Sequence, residues 1–91
     1  MKYRYNEMKK LVLSLFQPDS FLSSHEVAER LRDEQKLNVS LRAVQMALMR
    51  YHRQGLLHRE RRSDRFFYSL TEKGARRLRW LQSDGEGSQP R

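Results

Sequence analysis

Cysteine is absent from the 91 residues, which excludes disulfides, a thiolate nucleophile and any cysteine-based zinc site. Hydrophobic residues are scarce, at 37% of the chain against a usual ~45–50%. No apolar run nears the ~18 residues of a membrane span. The basic N-terminus lacks an apolar stretch and a small-residue cleavage site, so a secretory signal is not expected. There is no glycine-rich phosphate loop, no defensible Ser-His-Asp order and no isolated pair of carboxylates in an apolar setting, so catalysis is not expected. His25, His52 and His58 share no ligand spacing, which argues against a metal centre. A chain of this length forms at most one domain with a small core. It leaves no room for a separate sensing domain, and no cofactor is implied. The expected class is a small cytosolic domain with no membrane partner.

Positive charge is in surplus. Lys and Arg number 19 against 11 Asp and Glu, a net charge of +8, with a pI near 10.4. The excess is clustered. Residues 40–69 hold seven arginines against Glu60 and Asp64. Arginine suits planar, bidentate contacts to phosphates and base edges better than lysine does. One-sided clustering exceeds what solubility demands, and it points to a nucleic acid.

Met8, Leu11, Val12, Leu15 and Phe16 recur at helical spacing and predict a first helix, ended by Pro18. Tyr3 and Tyr5 precede that stripe as added packing residues. Ser23-Ser24-His25-Glu26 reads as a capping box opening a second helix, with Val27, Ala28 and Leu31 inward. The polar stretch from Glu34 to Asn38 predicts fraying. Ser40 caps a third helix whose buried stripe is Val44, Ala47, Leu48 and Tyr51, and Gly55 terminates it. The opposite side of the wheel collects Arg42, Gln45, Met46, Met49, Arg50 and Arg53.

Beyond Gly55 the period falls to about two. Leu56–Arg61 and Arg65–Leu70 predict a hairpin around Arg62-Ser63-Asp64, with Phe66, Tyr68 and Leu70 on one face. Thr71 caps a last helix through Gln82, in which Ala75, Leu78 and Leu81 point inward and Gly74 weakens the first turn. Residues 83–91 are rich in Gly, Ser and Pro, so the expected division is a domain over 1–82 and a disordered polar tail.

The run Ser40-Leu41-Arg42-Ala43-Val44-Gln45-Met46-Ala47-Leu48-Met49-Arg50-Tyr51, followed by Arg53-Gln54-Gly55-Leu56-Leu57, resembles the recognition-helix signature of prokaryotic winged helix-turn-helix regulators. Tyr68-Ser69-Leu70-Thr71-Glu72-Lys73-Gly74 is similar to that family's exit from the wing. The resemblance spans roughly residues 5–82. It implies a mainly α fold with a three-helix core, a two-stranded wing and a C-terminal helix, acting on double-stranded DNA as a transcriptional regulator. The chain differs from the pattern in its long stretch between Leu31 and Ser40, which Leu37 and Val39 could close against the core. It differs again in placing Met46 and Met49 among the arginines.

Under that resemblance the third helix enters the major groove. Arg42 would then pair with guanine and Gln45 with adenine, while Arg50 and Arg53 grip phosphate. Ser40 would cap the helix and offer its hydroxyl or nearby amides to a phosphate. For Met46 and Met49 three roles stay open: contact with thymine methyls, an adaptable protein-binding patch, or core. Arg59, Arg61, Arg62 and Arg65 surround the hairpin tip, where a wing would meet the backbone or minor groove. A charged edge that prevents sheet aggregation is the plainer reading of those four. Phe66, Phe67, Tyr68 and Trp80 could stack on single-stranded bases, but a wing makes Phe66 and Tyr68 core. Trp80 lies off the last helix's inward stripe and is a candidate homodimer contact. The expectation is a nucleoid-associated homodimer on duplex DNA. The rival readings are a winged-helix protein-interaction module, docking through Met46 and Met49, and an RNA-binding domain.

Overall fold

The computed structural model describes residues 5–87, and the expected packing of Tyr3 and of the Tyr5 side chain lies outside what it describes. Four helices and a small antiparallel sheet follow one another as α1 (Tyr5–Ser14), β1 (Leu22–Ser23), α2 (Ser24–Glu34), α3 (Leu41–Arg53), β2 (Leu57–Arg62), β3 (Arg65–Leu70) and α4 (Glu72–Gly87). The fold is a winged helix: mainly helical, with the β2–β3 hairpin as the wing.

The core forms where the helical stripes converge. Val12, Leu13, Val27, Leu31, Val44, Leu48, Tyr51 and Leu57 are almost completely buried. Leu37 joins them, and Val39 packs alongside, so both residues of the long α2–α3 connection close against the core. That connection turns where Lys36 adopts a left-handed φ of 54°, and the Leu37 N–H donates back to the Leu31 carbonyl at 2.9 Å.

Local chemistry sets the helix starts. The Glu26 N–H donates to Ser23 Oγ at 3.2 Å and the Ser23 N–H donates to Glu26 Oε1 at 2.8 Å, a complete capping box. Ser40 Oγ accepts from the Ala43 N–H at 3.1 Å. Thr71 Oγ1 accepts from the Gly74 N–H at 2.9 Å. Helix α3 ends as expected, with Gly55 at a φ of +81°, a conformation that costs glycine little.

Four details depart from the sequence reading. Helix α1 stops at Ser14, and tight turns from Leu15 and Phe16 carry the chain on toward Pro18. Leu22–Ser23 forms a third strand, paired with β3 in the sheet order β1-β3-β2. Its length of two residues leaves no alternation to detect. The hairpin turn is Ser63-Asp64 rather than three residues, because Arg62 pairs with Arg65. Ser63 takes a φ of 58°, suited to tight hairpins whose twist matches their strands. Finally, α4 continues to Gly87, so residues 83–87 extend the last helix instead of following it.

Candidate nucleic-acid interface

Helix α3 is amphipathic, and its two faces separate cleanly. Val44, Ala47, Leu48 and Tyr51 are buried, while Arg42, Gln45, Met46, Arg50 and Arg53 are exposed and Met49 is half-buried. Met46 is 55% exposed, which excludes the core role left open for it. The helix contains no acidic residue. Arg50, His52 and Arg53 occupy its last turn, where cations complement the negative end of the helix dipole. The outer face therefore presents three guanidiniums, an amide and a thioether, and the helix itself places no carboxylate among them. The Arg50 guanidinium also lies 5.8 Å from the Tyr51 ring centroid.

The wing comes off α3 through Gly55 and is tied back to it. His52 Nδ1 donates to the Leu57 carbonyl at 3.0 Å. Two residues further along β2, Arg59 Nη1 approaches Met49 Sδ at 3.1 Å, and its guanidinium lies 4.4 Å from the Phe66 ring centroid. Arg61 flanks the same ring at 5.7 Å.

Strand parity sorts the four wing arginines. Residues directly opposite each other share a face, so the pairs Arg59↔Tyr68 and Arg61↔Phe66 lie on the α3 side. Arg62 lies on the other face. Its guanidinium stands 4.6 Å from the Phe21 ring and 5.5 Å from Phe67, and it meets Glu60 at 3.4 Å. Arg65, directly opposite Arg62, shares that face by parity, yet at the end of the hairpin it still lines a cleft of about 410 Å³ with Gln45, Met49 and Phe66. Ser24 and His25 from the start of α2, together with Asp64 and Tyr68, complete its wall.

Gln45, Met49, Arg65 and Phe66 thus line one concavity between helix and wing, and Arg59 contacts two of them, Met49 and Phe66. Arg62 is directed away, and Ser40, Arg42 and Arg53 extend the α3 side. Phe66 is not core as expected: it is 41% exposed, because the hairpin carries it beyond the helices and guanidiniums cover it instead. Tyr68, on the same face, is buried at 5%. Sequence reasoning missed Ser24 and His25, whose only visible role was to open α2. It also missed the link through Arg59, which a two-residue turn would have revealed by placing Arg59, Arg61 and Phe66 on one face. On α4, Trp80 is 53% exposed, with Arg77 at 5.4 Å from its ring. Among the described residues no cluster of three or more His, Asp or Glu could hold a metal ion, and no helix is long and apolar enough to cross a membrane.

Against known proteins, a family model described as PaaX-like protein matches residues 26–74, from the capping-box glutamate through the wing to the first turn of α4. No curated protein matches the chain. Among solved structures, the fold is similar to that in the crystal structure of Bacillus subtilis PadR in complex with operator DNA, with a TM-score of 0.75 and 18% identity. The likeness covers 99% of this chain and 52% of the PadR chain, so the chain spans about half the length of that protein.

Proposed function

The chain belongs to the PaaX-like protein family, and from that premise we propose that it binds double-stranded DNA sequence-specifically, as a transcriptional regulator. In this reading α3 enters the major groove and the β2–β3 hairpin lies on the backbone or in the minor groove. The major groove, ~12 Å wide, admits an α-helix. The observation that carries the reading is the outer face of α3, where Arg42, Gln45, Arg50 and Arg53 stand exposed on a helix without one carboxylate. The cleft that joins this face to Arg65 of the wing supports it. So does the fold shared with PadR, a protein solved on its operator.

Arg42 and Gln45, in the first turns of α3, read base edges. Arg50, Arg53, Arg61 and Arg65 neutralise phosphates. Ser40 adds its hydroxyl at the N-terminus of α3, where backbone amides favour an anion. The protein works on the nucleoid as a homodimer, because two-fold symmetry doubles the contacted site. Trp80, exposed on α4, is the proposed dimer contact. No cofactor enters the proposal.

Selection from a random duplex pool at physiological salt tests binding and specificity together. The expected result is an enriched site whose affinity falls with salt, log K against log salt sloping near −4 to −5 for about four to six phosphates per protomer. No retardation of any duplex at low salt would overturn it. One observation favours a second reading: Met46, 55% exposed, is an apolar centre with a basic rim, a composition ordinary for protein interfaces. A flat salt response combined with capture of a protein partner through Met46 would support an interaction module instead.

A further inference from the structure

We propose that Arg59 is a positioning residue, a clamp that fixes the angle between the wing and α3 rather than a group that grips phosphate. The inference rests on the DNA-binding reading for its functional consequence, but the clamp itself is a property of the free protein.

Arg59 differs from its neighbours in burial. It is half-buried, whereas Arg61, Arg62 and Arg65 are exposed. Its guanidinium sits between two partners on different elements, with Met49 Sδ of α3 at 3.1 Å and the Phe66 ring of β3 at 4.4 Å. A planar cation over an aromatic face is attracted by the ring quadrupole, and the attraction grows as water is excluded. A thioether is a weak acceptor but a polarizable neighbour. Arg59 thus ties α3 to both strands of the hairpin.

The geometry explains why such a tie is needed. The chain leaves α3 through Gly55, at a φ of +81°, and β2 is first held by the His52 bond to the Leu57 carbonyl. β3 is also paired with β1, so the hairpin is held on the α2 side, while toward α3 the His52 bond at the base of β2 leaves it able to rock. Arg59 lies two residues further on, ~6.6 Å along an extended strand, and Met49 lies ~4.5 Å back along the helix from His52. A further tie to α3, displaced along both the strand and the helix, limits that rocking. The exposed arginines beyond it then reach a helical ligand in a fixed relation to Arg42 and Gln45. Met49 is occupied in the same act, which leaves Met46 as the apolar side chain that faces a partner.

The test compares the wild type with Arg59→Ala, Arg59→Lys, Phe66→Ala, the Arg59→Ala/Phe66→Ala double variant and Arg61→Ala. Without DNA, amide relaxation and hydrogen exchange over residues 60–66 should report a loosened wing in all three single variants at Arg59 and Phe66, and an unchanged wing in Arg61→Ala. With the selected duplex, Arg59→Ala and Phe66→Ala should each weaken binding about ten-fold, and the double variant by about ten-fold again rather than a hundred-fold, the non-additivity of residues in contact. Their salt slopes should match the wild type, while Arg61→Ala flattens its slope by about 0.9. Arg59→Lys is decisive where Arg59→Ala fails to fold. It keeps the charge and loses the planar fork, so a clamp predicts loss and a phosphate contact predicts wild-type binding. A slope flattened by about 0.9 in Arg59→Ala, additive losses, or a wing unchanged in the free variants would overturn the proposal. Should the wild type bind no duplex, the DNA reading fails and the free-protein measurements alone decide the clamp.

Discussion

Gly74 packs against the carbonyl of Leu56 so closely that a Cβ at position 74 would overlap the oxygen and lie 2.9 Å from Leu70 Cδ1. The contact seats the first turn of α4 on the junction between α3 and the wing. The same junction is held by the Thr71 N–H, which donates to the Leu56 carbonyl at 3.1 Å. Thr71 Oγ1 reinforces it at 2.7 Å from the Gly55 carbonyl, and Lys73 Nζ donates to the Gln54 carbonyl at 2.9 Å.

Gly74→Ala should therefore destabilise the fold. Helix propensity alone favours alanine by ~1 kcal/mol, but forcing a methyl into a filled site costs about 1–3 kcal/mol and here meets backbone that cannot rotate away. Thermal unfolding should show a lowered Tm; an unchanged or raised Tm would mean that α4 is not seated on Leu56.

Ser23→Ala should cost about 1–2 kcal/mol in denaturant titrations. Both halves of the capping box are formed, and Ser23 is fully buried, so water cannot replace the lost hydroxyl. Ser40→Ala, whose cap is exposed, should lie at or below the low end of that range.

Reading and gripping should separate among the arginines. Arg42→Ala or Gln45→Ala should lose about 1–3 kcal/mol on the selected duplex and relax preference at one base pair. Arg65→Ala should weaken all duplexes alike and flatten the salt slope by about 0.9. Arg62→Ala should do neither to the same extent, since Arg62 is held against Phe21 and Glu60 and, unlike Arg65, does not line the cleft. Identical behaviour of Arg42→Ala and Arg65→Ala across sequences would remove the distinction.

Met46→Ser should leave stability within about 0.5 kcal/mol, as expected for an exposed site. Its binding phenotype separates the two readings of α3. Lost preference at thymine-containing positions, with non-specific affinity retained, supports contact with a thymine methyl. Unchanged DNA binding with loss of a protein partner supports the interaction module.

Much of the fold was legible because its determinants are local. Ser23 and Glu26 stand three residues apart in any conformation, so the capping box could be read directly, and Ser40, Gly55 and Thr71 act over one turn in the same way. The stripe Val44, Ala47, Leu48 and Tyr51 has one helical phase, and the charge that lies opposite follows from it. Hence the sequence by itself determined the helix order, the inward and outward faces of α3, the presence of a hairpin and the clustering of arginine.

Other features depend on distances between residues far apart in the chain, which periodicity does not encode. Leu22–Ser23 becomes a strand only because β3 presents an edge to pair with. Gly74 looked like a weakness in a helix, and only the approach of Leu56, eighteen positions earlier in the chain, makes a side chain there impossible. The arginines of the wing were equal in sequence. Tertiary structure ranked them, half-burying Arg59 between Met49 and Phe66, leaving Arg61 exposed on the same face, and placing Arg62 and its partner Arg65 on the other, with Arg65 still reaching the cleft at the end of the hairpin. The reason is that strand parity is set by the two-residue turn, and a single residue's difference in turn length exchanges the faces.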